Sequence, residues 1–413
     1  MAVRPRPRPR AEAGANRSAG AAARRGVTRE HPISPGAFAG VAVASFGGPL
    51  ALAALAAPGL VADAADSAGL AMVAAAVVFT VPLATWLRYS RHVHSPGGLY
   101  GFVEAAAGRR LALVQAAIWT FSYLLYIVYT TVQIVYDLLP AVVPGVGPYQ
   151  TALALAIPVA IAGVMIAGRT AALLTLGLIA AGQVVLAGIL DGVTLAHLSM
   201  PASTFTAGAP DGSVAKAGAQ TSLLYVCGSL PLFLGGELAA PVRTIRRGLG
   251  GAFVLTAGLV VLAVAPLAAI PGVLHTDVPG VRVVEQFAGA GLAEAIGIGV
   301  AVSIAGVILC EYLALTRLLH AIGRWRTRPI AAAIGALVVV AAPLSLINPD
   351  GFYNTLLKPS LVALWLSQLI VFAVYPLFAA KRGHRAWPAW ALSLGASAFA
   401  VYGLWTALQQ ASS

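Results

Sequence analysis

Two short runs of small residues, each ending in proline, lie inside long apolar segments. They are Ser45-Phe46-Gly47-Gly48-Pro49 and Cys227-Gly228-Ser229-Leu230-Pro231. Glycine lowers helix stability by roughly 1 kcal/mol and proline has no N–H to donate, so each run should break its helix and leave backbone polar groups unpaired. Free amides after the first break suit a carboxylate, and free carbonyls before the second break, near Tyr225, suit an ammonium group. The two breaks together predict a binding site for a small zwitterion.

The binding residues predicted from these breaks are Ser45, Phe46, Gly47, Gly48, Cys227, Gly228 and Ser229. Inside a bilayer, irregular backbone is tolerated only where it faces protein or a wet cavity. The alternative is that the glycines merely allow neighbouring helices to pack closely. The presence of two such breaks favours the binding site.

A polar stripe follows one side of a later apolar segment. Its members are Trp119, Ser122, Tyr123, Tyr126, Tyr129, Thr130, Gln133, Tyr136 and Asp137. On a helix these positions fall within an arc of roughly 140°. A lipid-facing surface does not carry that many hydroxyl groups, so the stripe should face the interior of a helix bundle. Tyr123 and Tyr126 are predicted to contact the ligand, and hydrogen bonding between helices is the alternative.

Four further polar residues are candidates for coupling or gating. Glu311 lies well inside an apolar segment, where a carboxylate is costly unless it is protonated, paired or hydrated. It could carry a proton or simply form a structural hydrogen bond. Ser303 shares a face of small residues in the same segment, and Glu237 and Glu104 lie at helix ends beside basic loops, where they are predicted to act as conformational latches.

The composition identifies the class of protein. The chain is 59% hydrophobic and only 10% charged, with a mean hydropathy of +0.86. These values are typical of a polytopic helical membrane protein and exclude a soluble globular domain. Both cysteines, Cys227 and Cys310, fall inside apolar segments, so no disulfide framework is expected. The seven histidines are scattered without ligand spacing and no nucleophile pairs with a base, so we expect no metal, no cofactor and no enzymatic activity.

Eleven apolar runs are long enough to cross a bilayer of about 30 Å. They cover residues 36–62, 68–87, 111–136, 149–167, 170–190, 219–240, 249–270, 295–320, 329–347, 357–379 and 388–409. Residues 1–32 contain eight arginines and a Pro-Arg repeat, which predicts a disordered basic tail. Residues 33–413 are predicted to form the membrane domain.

The charges are distributed by topology. If the basic tail is cytoplasmic, nearly all arginines and lysines of the loops fall on the cytoplasmic side, and only Lys216, Arg282 and Lys358 fall outside. The net charge of +12 is therefore topological and does not indicate nucleic-acid binding. We expect a multi-pass protein of the cell membrane with its N-terminus in the cytoplasm and its C-terminus outside.

The spacing of prolines suggests an internal repeat. Pro49 and Pro231 are about 182 residues apart, and several other proline pairs repeat this offset. Because five spans precede the offset point, the second set of five would be inverted relative to the first. The predicted repeats are residues 36–190 and 219–380, and residues 388–409 form an extra helix.

Three stretches resemble motifs of the amino acid–polyamine–organocation permeases. Residues 95–104, Ser-Pro-Gly-Gly-Leu-Tyr-Gly-Phe-Val-Glu, resemble the family's "P-x-G-G-x-Y-x-(aromatic)" motif before the third span. Residues 237–247 resemble its "E-x-x-x-P-x-x-T-I-P" exit from the sixth span, with Arg246 where a proline is usual. Residues 316–324 are similar to its "S-R-x-x-x-A-x-x-R" end of the eighth span.

The resemblance implies an all-α, five-plus-five inverted-repeat fold with discontinuous first and sixth helices. It also implies a secondary transporter that moves an amino acid or a related amine-bearing small molecule by alternating access. Two features depart from the family: relatives commonly have twelve spans, and their sixth-span break often carries an aromatic and an acidic residue where this chain has Gly228 and Ser229. An ion channel or a receptor-like membrane binding protein is the alternative function, although no repeated filter or ring of charges is visible.

The resemblance also bears on coupling. Several relatives place a lysine in the fifth span, where its ammonium takes the position of a sodium ion, but this chain has no such lysine and only Gln183 is strongly polar there before Asp191. A proton carried by Glu311, or uncoupled exchange, is therefore favoured. A sodium ion held by carbonyls of the first break together with Ser303 is the other possibility.

Overall fold

The structure is a computed structural model that describes residues 32–206 and 208–409. Almost all of the predicted basic tail lies outside these residues. Within them, eleven helices are long and apolar enough to cross a membrane. In chain order they are α1 Pro35–Leu60, α2 Ala62–Tyr89, α3 Arg109–Val142, α4 Gly147–Ala167, α5 Arg169–His197, α6 Asp211–Glu237, α7 Pro241–Ala269, α8 Ala290–Gly323, α9 Thr327–Leu346, α10 Pro349–Lys381 and α11 Ala386–Gln409.

The number and order of the predicted spans are confirmed, but several helices are longer than their apolar runs. The run at 111–136 lies within α3, and the run at 357–379 lies within α10. Helical hydrogen bonding does not end where hydropathy falls, because polar residues at the ends of a membrane helix still have helical backbone. The apolar run therefore marks the hydrophobic part of each helix and misses its ends.

The break in α1 occurs where the sequence predicts it. An α-helix runs over Pro35–Ser45, and a second helical segment begins at Pro49. Between them Gly47 and Gly48 have φ values of 74° and 70°. Two consecutive residues with left-handed backbone require glycine, and Pro49 fits the first position of the new helix because no N–H is needed there.

The second interruption differs from the prediction. In α6 the α-helix ends at Leu223, and a continuous 3₁₀ helix then covers Leu224–Glu237. The predicted gap at residues 227–231 is therefore a long stretch of tighter helix that begins before Cys227. Locally, the absent N–H of Pro231 and the glycines around it weaken α-helical hydrogen bonding. The length of the stretch depends on packing, since Tyr225 to Gly235 are buried.

The broken helices lie at the centre of the bundle. In α1 and α6, 78% of the most apolar window is buried, whereas in α4 only 22% is buried. Helix α8 packs against α1, α3, α5 and α6. The irregular backbone of α1 and α6 is thus surrounded by protein. This is required because lipid cannot form hydrogen bonds with free backbone amides.

The two ends of the bundle differ in charge. At one end, here called the arginine-rich end, the loop before the short helix Leu99–Ala107 contacts the ends of α6 and α8. The short helix itself contacts the end of α10, and the end of α6 contacts the starts of α1 and α5. At the opposite end, the amphipathic helix Pro279–Ala288 packs against the outer half of α1. The charge pattern of the sequence predicts that the arginine-rich end is cytoplasmic.

Candidate functional site

A cavity of about 320 Å³ lies between α1, α3, α6, α8, α10 and α11. Its lining includes Gly47 of the first break and Val226 and Cys227 of the 3₁₀ stretch. From there it extends towards the opposite end, past Leu60, Gln220 and Thr406. Its size suits one small molecule, because ligand pockets begin at about 300 Å³.

Apolar side chains make up most of the lining. The apolar lining residues are Ala51, Leu52, Leu55, Ala56, Leu60, Leu223, Leu224, Val226, Ile304, Val307, Leu361, Leu364, Trp365 and Ala407. The polar lining residues are Tyr126, Thr130, Gln133, Gln220, Cys227 and Thr406. Among the described residues that line this cavity, none carries a formal charge. A ligand with a charged side chain would lose its hydration here without gaining an ion pair.

The two interruptions meet at one wall of the cavity. A side chain added at Gly47 would lie 3.1 Å from the carbonyl oxygen of Leu224 and 3.0 Å from Cδ2 of Leu52. Leu224 is the residue at which α6 changes from α to 3₁₀ helix. Backbone groups of α1 and α6 therefore meet at one wall of the cavity, where a side chain on residue 47 would be in tight contact with both helices.

Gly48 faces a different set of residues. A side chain at this position would overlap the Ser303 Oγ and would lie 3.1 Å from Oε1 of Gln183. The Ser303 hydroxyl donates a hydrogen bond to that same Gln183 oxygen, and both side chains are buried. Gly48 thus joins α1 to α8 and α5 outside the cavity, and Gln183 contacts the predicted coupling residue Ser303.

Phe46 and Gly228 lie behind the cavity wall. The Phe46 ring covers Gly228 so closely that any side chain there would overlap it. Phe46 also packs against Phe79 and Phe253, with ring centroids 6.0 and 5.7 Å away. The Ser45 hydroxyl donates to the carbonyl of Ala42, one turn back. These three predicted site residues do not line the cavity and instead support its wall.

Of the two predicted tyrosines, Tyr126 lines the cavity and Tyr123 does not. Tyr123 is buried, and its hydroxyl has no hydrogen-bond partner among the described residues. Cys227, which lines the cavity, donates from Sγ to Oε1 of Glu311 at 3.8 Å. Glu311 is fully buried, and its Oε2 is unpartnered among the described residues.

Aromatic rings close the bundle below the cavity, on its arginine-rich side. Trp119 packs between Tyr123 and Phe233, with ring centroids 4.1 and 4.6 Å away. The Phe233 ring in turn covers Gly98, where an added side chain would lie 2.6 Å from it. The predicted site residue Ser229 lies in this closed half and accepts a 3.4 Å hydrogen bond from Gln368. The cavity is therefore closed towards the arginine-rich end.

Glu237 forms ion pairs at the arginine-rich end, here called the Glu237 latch. Its Oε2 lies 2.8 Å from Nη1 of Arg169, and its Oε1 lies 2.9 Å from Nε of Arg317. The carbonyl of Glu237 also accepts a 2.9 Å hydrogen bond from the N–H of Ile33, just before α1. One residue thus connects α1, α5, α6 and α8 beneath the aromatic rings.

Glu104 does not contact the latch. Its Oε1 accepts a 2.8 Å hydrogen bond from the hydroxyl of Tyr100. Burial, together with the hydrogen bond to Glu104, raises the pKa of Tyr100. The phenol therefore stays protonated at neutral pH and keeps donating this hydrogen bond, which ties Glu104 within its own short helix.

Sequence reasoning missed several lining residues. Gln220, Trp365 and Thr406 come from three different helices, and no local pattern marks them. Thr130 and Gln133 belong to the polar stripe of α3, which therefore gave a usable signal for them. Among the described residues, no group of three His, Cys, Asp or Glu side chains could hold a metal ion.

The comparisons with known proteins are consistent with this geometry at the level of fold. No protein-family model and no curated protein matches the sequence. The fold is similar to that in the crystal structure of MhsT in complex with L-phenylalanine, with a TM-score of 0.59, covering 93% of this chain and 100% of that chain at 14% sequence identity. At that identity the likeness shows the fold alone. It confirms the predicted fold class, whereas the inverted repeat and the permease family stay predictions.

Proposed function

We propose that this chain is a secondary active transporter that moves a neutral, amine-bearing small molecule by alternating access. The observation that carries the proposal is a cavity at the meeting point of two interrupted helices that is open towards one end of the bundle and closed towards the other. A carrier needs such one-sided closure, because a site open to both ends at once would dissipate a gradient. A channel would instead need a continuous path through the bundle, and the aromatic rings below the cavity block such a path.

The lining supports amino acids with apolar side chains as the substrate class. The Leu224 carbonyl, which meets Gly47 at the cavity wall, could accept a hydrogen bond from the ammonium group of a zwitterion, because a carbonyl oxygen has two lone pairs. The Gly47 N–H already donates to the carbonyl of Ser45. The leucines and Trp365 would then surround an apolar side chain. The ligand of the structurally similar MhsT, L-phenylalanine, is of this class.

Coupling to protons through Glu311, or exchange without coupling, is part of the proposal. Glu311 is fully buried and lies beside Cys227, whose thiol is a neutral donor. Among the described residues, no cation pairs with this carboxylate, so its neutral form is favoured in the observed state. Because Cys227 lines the cavity, arrival of a substrate could alter the environment of Glu311 through one side chain.

The test is uptake into proteoliposomes with a panel of labelled amino acids under imposed proton or sodium gradients. We expect apolar neutral amino acids to be accumulated and lysine and glutamate to be excluded. Glu311→Gln should lose proton-driven accumulation but keep exchange, since the amide imitates the protonated carboxyl without releasing a proton.

A pair of glycine variants provides the matched control. Gly47→Leu should abolish uptake, because its side chain would fill the space between the two interrupted helices. Gly163→Leu, at an exposed position with open space around it, should keep normal uptake. Uptake driven only by sodium would refute the proton proposal, and the absence of uptake for every compound in the panel would refute the substrate class.

A further inference from the structure

A second cavity, of about 400 Å³, lies at the arginine-rich end between α4, α5, α8 and α9. It is separate from the cavity at the two interruptions and shares no lining residue with it. Three arginines line it, Arg169, Arg317 and Arg328, together with three hydroxyl-bearing residues, Thr170, Thr316 and Thr327. None of the described residues that line it is acidic. Its chemistry is therefore that of a site for an anion with several oxygen atoms.

Positive charge at this cavity is left without a carboxylate partner, because none of the described residues forms an ion pair with Arg328. Glu237 contacts the other two arginines, Arg169 and Arg317. The Arg317 side chain is only 7% exposed. Its Nε, although near Glu237, makes no hydrogen bond of acceptable geometry among the described residues. A buried guanidinium with unused hydrogen-bonding capacity is costly, and an anion in the adjoining cavity would reduce that cost.

Two helices begin at this cavity. Helix α5 starts at Arg169, directly after Gly168, whose φ is 115°, and α9 starts at Thr327. The first N–H groups of a helix have no partner within it, and the helix dipole adds partial positive charge at that end. Backbone amides and guanidinium groups are thus available at the same cavity, which is the combination that phosphate oxygens prefer.

We propose that this cavity binds a phosphate group, from an anionic lipid headgroup or from a free phosphate, and that binding weakens the Glu237 latch. The second part follows because Arg169 and Arg317 line the cavity and also hold Glu237. A phosphate that draws these guanidinium groups towards itself competes with the carboxylate for the same donors. Occupancy would therefore favour separation of α6 from α5 and α8 at this end. The site does not depend on the transport function proposed above.

The first arm of the test measures binding of inorganic phosphate to the full-length protein in a neutral detergent. The unfolding temperature is followed against phosphate concentration, with chloride added to keep the ionic strength constant. We expect a saturable rise. Arg328→Gln leaves the latch residues in place. It should weaken the apparent affinity for phosphate about fivefold, because one charge-assisted contact is lost at an exposed position. Arg326→Gln is the matched control, since Arg326 is an exposed arginine directly before α9 that does not line the cavity.

A third variant separates this site from a generally basic surface. Glu237→Gln removes the competing carboxylate and should strengthen phosphate binding, whereas a merely structural role for Glu237 would leave the affinity unchanged or lower it. Opposite effects of Arg328→Gln and Glu237→Gln would support both parts of the proposal. Equal effects of Arg328→Gln and Arg326→Gln would overturn the site.

The second arm distinguishes the two sources of phosphate. The protein is reconstituted in vesicles of phosphatidylcholine, with or without phosphatidylglycerol, and its unfolding temperature is compared. A rise with phosphatidylglycerol that depends on Arg328 and is not matched by inorganic phosphate identifies a lipid headgroup. A saturable response to inorganic phosphate alone identifies free phosphate. The absence of any Arg328-dependent response in either arm would overturn the proposal.

Discussion

Replacing Gly48 by alanine tests the contact that joins α1, α5 and α8. Gly48 has a φ of 70°, and a left-handed backbone costs a residue with a side chain about 1–2 kcal/mol. The new methyl group would also overlap the Ser303 Oγ. Ser303 must then move and give up its hydrogen bond to Gln183, which contributes about 1 kcal/mol. We expect Gly48→Ala to lower the free energy of unfolding by about 2–4 kcal/mol.

Gly47→Ala is the matched comparison. Gly47 has a similar φ of 74°. A methyl group there would lie 3.0 Å from the flexible end of Leu52 and 3.1 Å from the Leu224 carbonyl oxygen, and a shift of a few tenths of an ångström relieves both contacts. The cost of Gly47→Ala should therefore be close to the backbone term alone, about 1–2 kcal/mol. The difference between the two variants measures the contact with Ser303.

A double mutant isolates that contact. Ser303→Gly removes the overlapping oxygen. The double mutant Gly48→Ala/Ser303→Gly should therefore lose about 1 kcal/mol less free energy of unfolding than the sum of the losses in the two single mutants. Unfolding would be measured by titration with sodium dodecyl sulfate from mixed micelles. Additive effects, or equal losses for Gly47→Ala and Gly48→Ala, would show that Gly48 does not touch Ser303 in the protein.

Three further predictions use the latch, the cavity and the topology. Glu237→Gln should shift the equilibrium towards opening at the arginine-rich end by about 5- to 150-fold. The readout is faster labelling of a cysteine introduced at Gln115, a buried residue of α3 one turn before Trp119. Glu104→Gln should not change the labelling rate, and equal rates in both variants would exclude the latch. A membrane-impermeant thiol reagent should modify Cys227, which lines the cavity, and not Cys310, which is buried outside it. Modification of Cys310 without Cys227 would contradict the placement of Cys227 in the cavity. A reporter fused to the C-terminus should be found outside the cell, and a cytoplasmic reporter would mean that the predicted orientation is wrong.

The class of protein, the number of spans and the first break could all be predicted from the sequence. Hydropathy counts membrane helices because every apolar run of sufficient length must be helical to satisfy its backbone in lipid. The break at Gly47 and Gly48 was predictable because consecutive left-handed residues next to a proline have a purely local cause. The break in α6 was predicted only in part, since a 3₁₀ helix that continues to Glu237 depends on packing around the stretch.

Only the packing of the helices determines which of the candidate residues lie around the same cavity. Gly47, Tyr126 and Cys227 line one cavity, whereas Phe46 and Gly228 pack against each other behind it. In sequence these residues look alike, because small and aromatic residues serve equally well for binding and for packing. Their separation depends on the rotation of each helix about its axis, which is set by contacts with neighbouring helices.

The Glu237 latch also shows which contacts can be predicted from the sequence and which cannot. The sequence placed Glu237 and Glu104 at helix ends beside arginines, but it could not assign their partners. Glu237 meets Arg169 and Arg317 from helices far apart in the chain, while Glu104 binds Tyr100 one turn away in its own helix. Local hydrogen bonds follow from helical spacing, whereas ion pairs between distant helices exist only once the bundle has brought their ends together.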